Sequence, residues 1–139
     1  MTKQEIFDRV VEHLARQKRP ATFEGNNGLC AYRGTAGTKC AFGIFIPDEF
    51  YTASFENRSA HVLITHPASV TKDEKAQAYL ASLAPFLSLF VRLQEVHDQA
   101  TRFKQSLCDV WAEDLELVST AYDLKFDREA FVTQFNSKD

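Results

Sequence analysis

The spacing of apolar residues divides the chain into two halves of different character. Near the start, Ile6, Phe7, Val10, Val11 and Leu14 recur at the interval of one helix face, while Glu12, Arg16 and Lys18 fall away from it. Thr2 and Glu5 form a capping-box pattern ahead of that stripe, and Pro20 is placed to stop it. Gly25-Asn26-Asn27-Gly28 then reads as a turn, because Gly and Asn tolerate positive φ. Beyond it the apolar period changes to two. Residues 29–33 form a short predicted strand and Gly34-Thr35-Ala36-Gly37 a hairpin turn. Residues 38–46 form the returning strand, with Cys40, Phe42, Ile44 and Ile46 alternating against Lys39, Ala41, Gly43 and Phe45. Pro47, Asp48 and Glu49 are ordered to open a helical turn whose apolar side is Phe50, Tyr51 and Phe55. His61-Val62-Leu63-Ile64-Thr65 reads as a third strand or a buried segment.

The second half carries helical spacing throughout. Thr71 and Glu74 repeat the capping-box pattern and open a helix toward Ala84, where Pro85 breaks or kinks it. Phe86, Leu87, Leu89, Phe90, Val91, Leu93 and Val96 make the next helix apolar on most of its circumference, which places it centrally. A longer helix over 103–122 has the stripe Phe103, Leu107, Val110, Trp111, Leu115, Val118 and Tyr122. Asp127 caps a last short helix carrying Ala130, Phe131 and Phe135. Without repeats or a low-complexity linker, residues 1–139 read as one α+β domain. A small N-terminal β-hairpin or sheet packs against a mainly helical remainder.

Composition narrows the function classes. Hydrophobic residues make up 45% of the 139 and charged residues 25%, an ordinary globular balance. Sixteen Lys+Arg against 19 Asp+Glu give a formal charge of −3, which argues against a general nucleic-acid binder. No uninterrupted apolar run reaches the ~20 residues of a membrane span, and the first residues lack the apolar core of a secretory signal. The expectation is a cytoplasmic protein with no membrane partner. Twelve Phe are many for this length; they fill one core or leave some rings for a partner.

The chemistry-bearing residues gather in the predicted hairpin and at the end of the central helix. Cys30 and Cys40 lie on opposite arms, and the strand register decides whether they share a face. With His61 and His66 they offer zinc-ligand types, though the nine residues between the thiols exceed usual spacing. On a second reading Cys40, beside the Lys39 charge, is a thiol nucleophile with His97 as base and Asp98 as the accompanying carboxylate. Neighbouring helix residues point about 100° apart, so Asp98 is poorly placed to orient His97. The competing reading makes the thiols small buried hydrophobes and His97 a histidine at the core edge. Asp48 and Glu49 mark a helix start. Asp109, Glu113, Asp114 and Glu116 give the Trp111 helix an acidic side, either solvated or aimed at a basic partner. Neither a Walker phosphate loop nor a nucleophile elbow is present, and no cofactor is implied.

Cys30-Ala31-Tyr32-Arg33, then Gly37-Thr38-Lys39-Cys40-Ala41-Phe42-Gly43, then Ile46-Pro47-Asp48-Glu49 and Tyr51, resemble a group of small uncharacterised bacteriophage and prophage accessory proteins. Leu93-Gln94-Glu95-Val96-His97-Asp98, with Trp111 downstream, is similar to the same group. The likeness covers roughly residues 3–51 and 87–124. It implies a phage context but brings no assigned catalytic or binding residues. In that context the expected function is non-catalytic binding that inhibits or modulates a host bacterial protein, including one of host defence, with the oligomeric state open. The candidate binding residues are Tyr32, Arg33, Asp109, Trp111, Glu113 and Asp114. The alternative is a thiol enzyme built on Cys40, His97 and Asp98.

Overall fold

A computed structural model describes residues 1–23, 30–99 and 106–138. Among these run α1 (Lys3–Gln17), α2 (Ala60–Thr65), α3 (Glu74–Ser82), α4 (Leu87–Asp98), α5 (Leu107–Ala121) and α6 (Arg128–Phe135). The structure is 64% helical, and the described residues hold no β-strand. The fold is all-α, and the predicted α+β class with its N-terminal hairpin is overturned. The turn at 25–28, Leu29 and Phe103 lie outside the described residues.

The helices begin where short polar side chains can satisfy their first N–H groups. Thr2 Oγ1 accepts from Glu5 N at 3.1 Å, Ser106 Oγ from Asp109 N at 3.3 Å, and Asp127 Oδ1 from Ala130 N at 3.0 Å. Two expectations need correction. The N-cap of α3 is Asp73, not Thr71; Thr71 Oγ1 instead accepts from Asp73 N, holding the cap in place. And α1 ends on Lys18 in the left-handed region (φ 63°), its N–H bonded to Leu14 O, before Pro20 is reached.

The predicted third strand is helix α2. Its β-branched residues favour a strand only as a weak prior. Ser59 Oγ caps the turn by accepting from Val62 N at 3.1 Å, and Ala60, Leu63 and Ile64 then fall buried at helical spacing. Residues 74–98 are long and apolar enough, by length and composition, to cross a membrane. Here a 3-10 turn at Ala84–Phe86, containing Pro85, separates α3 from α4. Leu80, Leu83, Leu89, Phe90 and Leu93 are buried in the core.

The predicted hairpin is replaced by irregular chain with 3-10 turns at Thr35–Gly37 and Gly43–Phe45. The turn at 34–37 exists, with Ala36 and Gly37 at positive φ, yet it joins no strands. An isolated antiparallel bridge pairs Thr22 with Cys30. Backbone groups that a ladder would pair are taken by side chains instead. Glu56 Oε1 accepts from Tyr32 N (3.0 Å) and Oε2 from Arg33 N (3.1 Å) and Tyr51 Oη (2.5 Å). The Arg33 guanidinium donates to Gly43 O (3.0 Å), Ile46 O (2.7 Å) and Asp48 Oδ1 (2.9 Å), with Tyr51 stacked 5.0 Å away. Gly43 lets the two arms touch: a Cβ there would lie 2.5 Å from Tyr32 O. Of the alternating apolar residues, Cys40, Phe42 and Ile46 are buried while Ile44 is only half-buried, and Phe45 of the opposite set is buried with them.

The phenylalanines fill that core. Phe42 and Phe45 each meet Phe90 edge-on with ring centroids 5.0 Å apart. A second aromatic run links Phe7, Phe126, Phe131, Phe135 and Trp111 between α1, α5 and α6. Among the described residues the exposed large apolar side chains are Met1 and Leu117, while Phe23, Phe50, Phe86, Phe126 and Phe135 are half-buried.

Replacing Glu56 with Ala strips two backbone N–H groups and one hydroxyl of their charged acceptor. Glu56→Ala is expected to lower folding stability by about 3 kcal/mol, on the scale of lost hydrogen bonds to a charged group. Urea denaturation of the two proteins checks this; an unchanged midpoint would mean the irregular segment is held elsewhere.

Candidate functional site

The end of α4 organises the chemistry-bearing groups. Gln94, His97 and Asp98 lie three and four residues apart and share one side of the helix. Gln94 Oε1 accepts from Phe42 N at 2.9 Å, and its Nε2 donates to Asp98 Oδ1 at 2.8 Å. His97 is fully buried and stacked on Trp111, with centroids 6.1 Å apart. Its Nε2 accepts from Ala21 N at 2.9 Å, so that nitrogen carries no proton and the ring hydrogen sits on Nδ1. Nδ1 then donates to Asp98 Oδ1 at 3.1 Å. Adjacent helix positions place Asp98 poorly for orienting His97, yet in the last turn the carboxylate folds back to its neighbour's ring.

Cys30 completes the group. Its thiol donates to Asp98, and the Cys30 sulfur, a His97 nitrogen and an Asp98 oxygen lie within 4.8 Å of one another. Burial and the Asp98 carboxylate push the Cys30 thiol far above its ordinary range. Burial pushes Asp98 upward, but hydrogen bonds from His97, Cys30 and Gln94 outweigh it and hold the carboxyl below its ordinary value.

This triad is the one metal-ligand cluster among the described residues. It does not fit a metal, because both ring nitrogens of His97 are committed: one faces an N–H donor and the other holds the carboxylate. His61 and His66 lie on and just after α2, where both meet Thr65, apart from this cluster.

Cys40 is only 1% exposed, and its sulfur accepts from Gly43 N at 3.3 Å. Burial pushes this thiol up to about 12. With the lone pair of His97 Nε2 occupied by Ala21 N–H, His97 is not placed as a base for Cys40, and burial disfavours the thiolate. His97 and Asp98 instead tie α4 to Ala21 and Cys30, while the Cys40 sulfur accepts from Gly43 within the irregular segment.

The candidate binding residues divide between interior and surface. Tyr32 is buried, with its hydroxyl donating to Arg58 O at 2.5 Å, and Arg33 is spent on backbone carbonyls. Trp111 is fully buried, so it belongs to the core and not to a contact surface. Asp109 and Glu113 are exposed on α5, one turn apart. Glu116 pairs with Arg128, and Leu117, 58% exposed, stands one turn beyond Glu113. Asp114 is half-buried with Oδ2 unpartnered; burial, then the neighbouring Glu113, raises its carboxyl above the ordinary range.

Comparison with family models, curated proteins and solved structures finds no match to this chain. Its function must be argued from its own surfaces.

The two aspartates have opposite linkage. The fold favours ionised Asp98, so that contribution to stability is present above about pH 4 and lost as pH falls through the depressed folded value. Asp98→Asn should therefore flatten the acid limb of the stability profile. The fold disfavours ionised Asp114, so its penalty grows as pH rises past the ordinary carboxylate value. Asp114→Asn should raise the unfolding midpoint at neutral pH and leave it unchanged in acid. Thermal unfolding of both variants from pH 3 to pH 8 tests both signs.

Alkylation followed by mass spectrometry checks the thiols. At pH 8, Cys40 is expected to react only as fast as the protein unfolds. Fast modification of Cys40 in the native protein, with a midpoint near that of a free thiol and shifted by His97→Ala, would reinstate the enzymatic reading.

Proposed function

We propose that this chain is a non-catalytic accessory protein of phage or prophage type that binds and modulates a host bacterial protein in the cytoplasm. The observation that carries the reading is the outer face of α5. Asp109, Glu113 and Leu117 follow one another at four-residue intervals, all exposed, on a helix whose inner face is locked into the core. Exposed carboxylates around an exposed leucine suit a basic partner surface with an apolar contact at its centre. The internal commitment of His97, Asp98 and Cys40 supports the absence of catalysis. The acidic balance of the whole chain supports a protein partner over nucleic acid.

The test is capture from bacterial extract on immobilised wild-type protein and on the variant Asp109→Lys/Glu113→Lys. A partner that recognises this face is retained by the wild type and weakened about tenfold by charge reversal. It should also elute at moderate salt, which screens exposed charges. Retention of the same proteins by both forms, or of none by the wild type, would overturn the reading.

A further inference from the structure

A cavity of about 260 Å³ opens beside the α4 network, on the side of the molecule that the acidic α5 reading does not use. A cavity of about 150 Å³ already holds a benzene ring, so this one has room for a long side chain. Ala31, Ala60 and Val91 give it apolar walls. Its acids, Glu95 and Asp98, both stand on α4, three residues apart on one face. Arg58 and His61, at the start of α2, also line it.

The carboxylate of Asp98 has capacity left. An ionised carboxylate offers about four lone-pair positions. His97 Nδ1, Gln94 Nε2 and the Cys30 thiol take three of them. The Asp98 side chain nonetheless remains 46% exposed, and Glu95 beside it is bound only loosely, to Arg92 at 3.7 Å. We infer that this cavity is a binding site for an arginine side chain presented by a partner polypeptide. The planar guanidinium has enough donors to meet Asp98 and Glu95 together, which a lysine ammonium reaches less well. Its aliphatic stem lies against Ala31, Ala60 and Val91. The carbonyls of the peptide that carries it face Arg58 and His61. The charge pattern of the site, acids on α4 and bases at the start of α2, thus matches the two ends of one peptide arginine.

The inference rests on the protein-binding reading for the source of the arginine, but its test needs no partner. The purified full chain is titrated with N-acetyl-arginine amide while backbone amide signals are followed by NMR. The expected result is saturable shifts at Ala31, Ala60, Val91, Glu95 and Asp98. N-acetyl-citrulline amide, of the same shape without the charge, should leave them in place. Asp98→Asn and Glu95→Gln should each weaken binding roughly fivefold, the scale of a partly exposed ion pair. Glu95 is on the surface, so its variant keeps the test sound if Asp98→Asn does not fold. Equal shifts with the citrulline amide would assign the cavity to a neutral ligand and overturn the inference. So would shifts with inorganic phosphate alone, or none with the arginine probe. Asp109→Lys/Glu113→Lys leaves these walls intact, so failure of the α5 reading and failure of this one are separately visible.

Discussion

The fold depends on one obligation: a segment without helix or sheet must still pair its buried backbone groups. Among the described residues 21–23 and 30–51 no ladder does this work. Side chains do much of it, and Gln17 holds both the N–H and the carbonyl of Lys39. Glu56 holds the N–H groups of Tyr32 and Arg33, and Arg33 holds the carbonyls of Gly43 and Ile46. Gln94 and His97 reach across from α4 to the N–H groups of Phe42 and Ala21. The Gln94 and His97 contacts join this segment to a helix far along the chain, so the N–H groups of Phe42 and Ala21 are paired only when α4 lies beside them. Such an arrangement is cooperative, since an unpaired buried N–H costs more than a made bond returns.

That obligation also decides the chemistry. A catalytic histidine needs a nitrogen to spare, and a nucleophilic thiol needs water or a cation to sustain its charge. His97 has neither nitrogen free, and Cys40 sits among Phe42, Phe90 and their neighbours. Asp98 differs from them. It anchors the histidine with Oδ1 yet keeps nearly half its surface in solvent, so the same carboxylate ends a structural chain and lines a cavity. A structural anchor and an exposed cavity wall therefore meet at one residue.

Much of the helical half is legible in the sequence, because caps and stripes are local. Thr2 and Asp127 announce helix starts three residues before the N–H they serve. The stripe through Val110, Trp111, Leu115 and Val118 marks the buried side of α5. The region 30–51 misleads for a physical reason. Alternation through Cys40, Phe42 and Ile46 says that these residues are buried, but not that a strand buries them. A 3-10 turn at Gly43–Phe45, permitted by the missing Cβ of Gly43, meets the same demand. For the candidate site, residue type was readable and role was not. His97 and Asp98 stand out as chemistry, while their partners are the backbone N–H of Ala21 and the side chains of Gln94 and Cys30. Glu56 carries no motif at all. Its importance comes from where two loops meet, which no local spacing records.

Trp111 joins the α4 network to α6. Its indole stacks on His97 on one side and meets Phe135 of α6 edge-on. Its Nε1 is buried without a partner, so the ring is held by packing alone and has no hydrogen bond to preserve its angle. The buried side of α5 and the Ala21–His97–Asp98 chain therefore share one packed contact, and truncating the indole would leave a cavity that touches both.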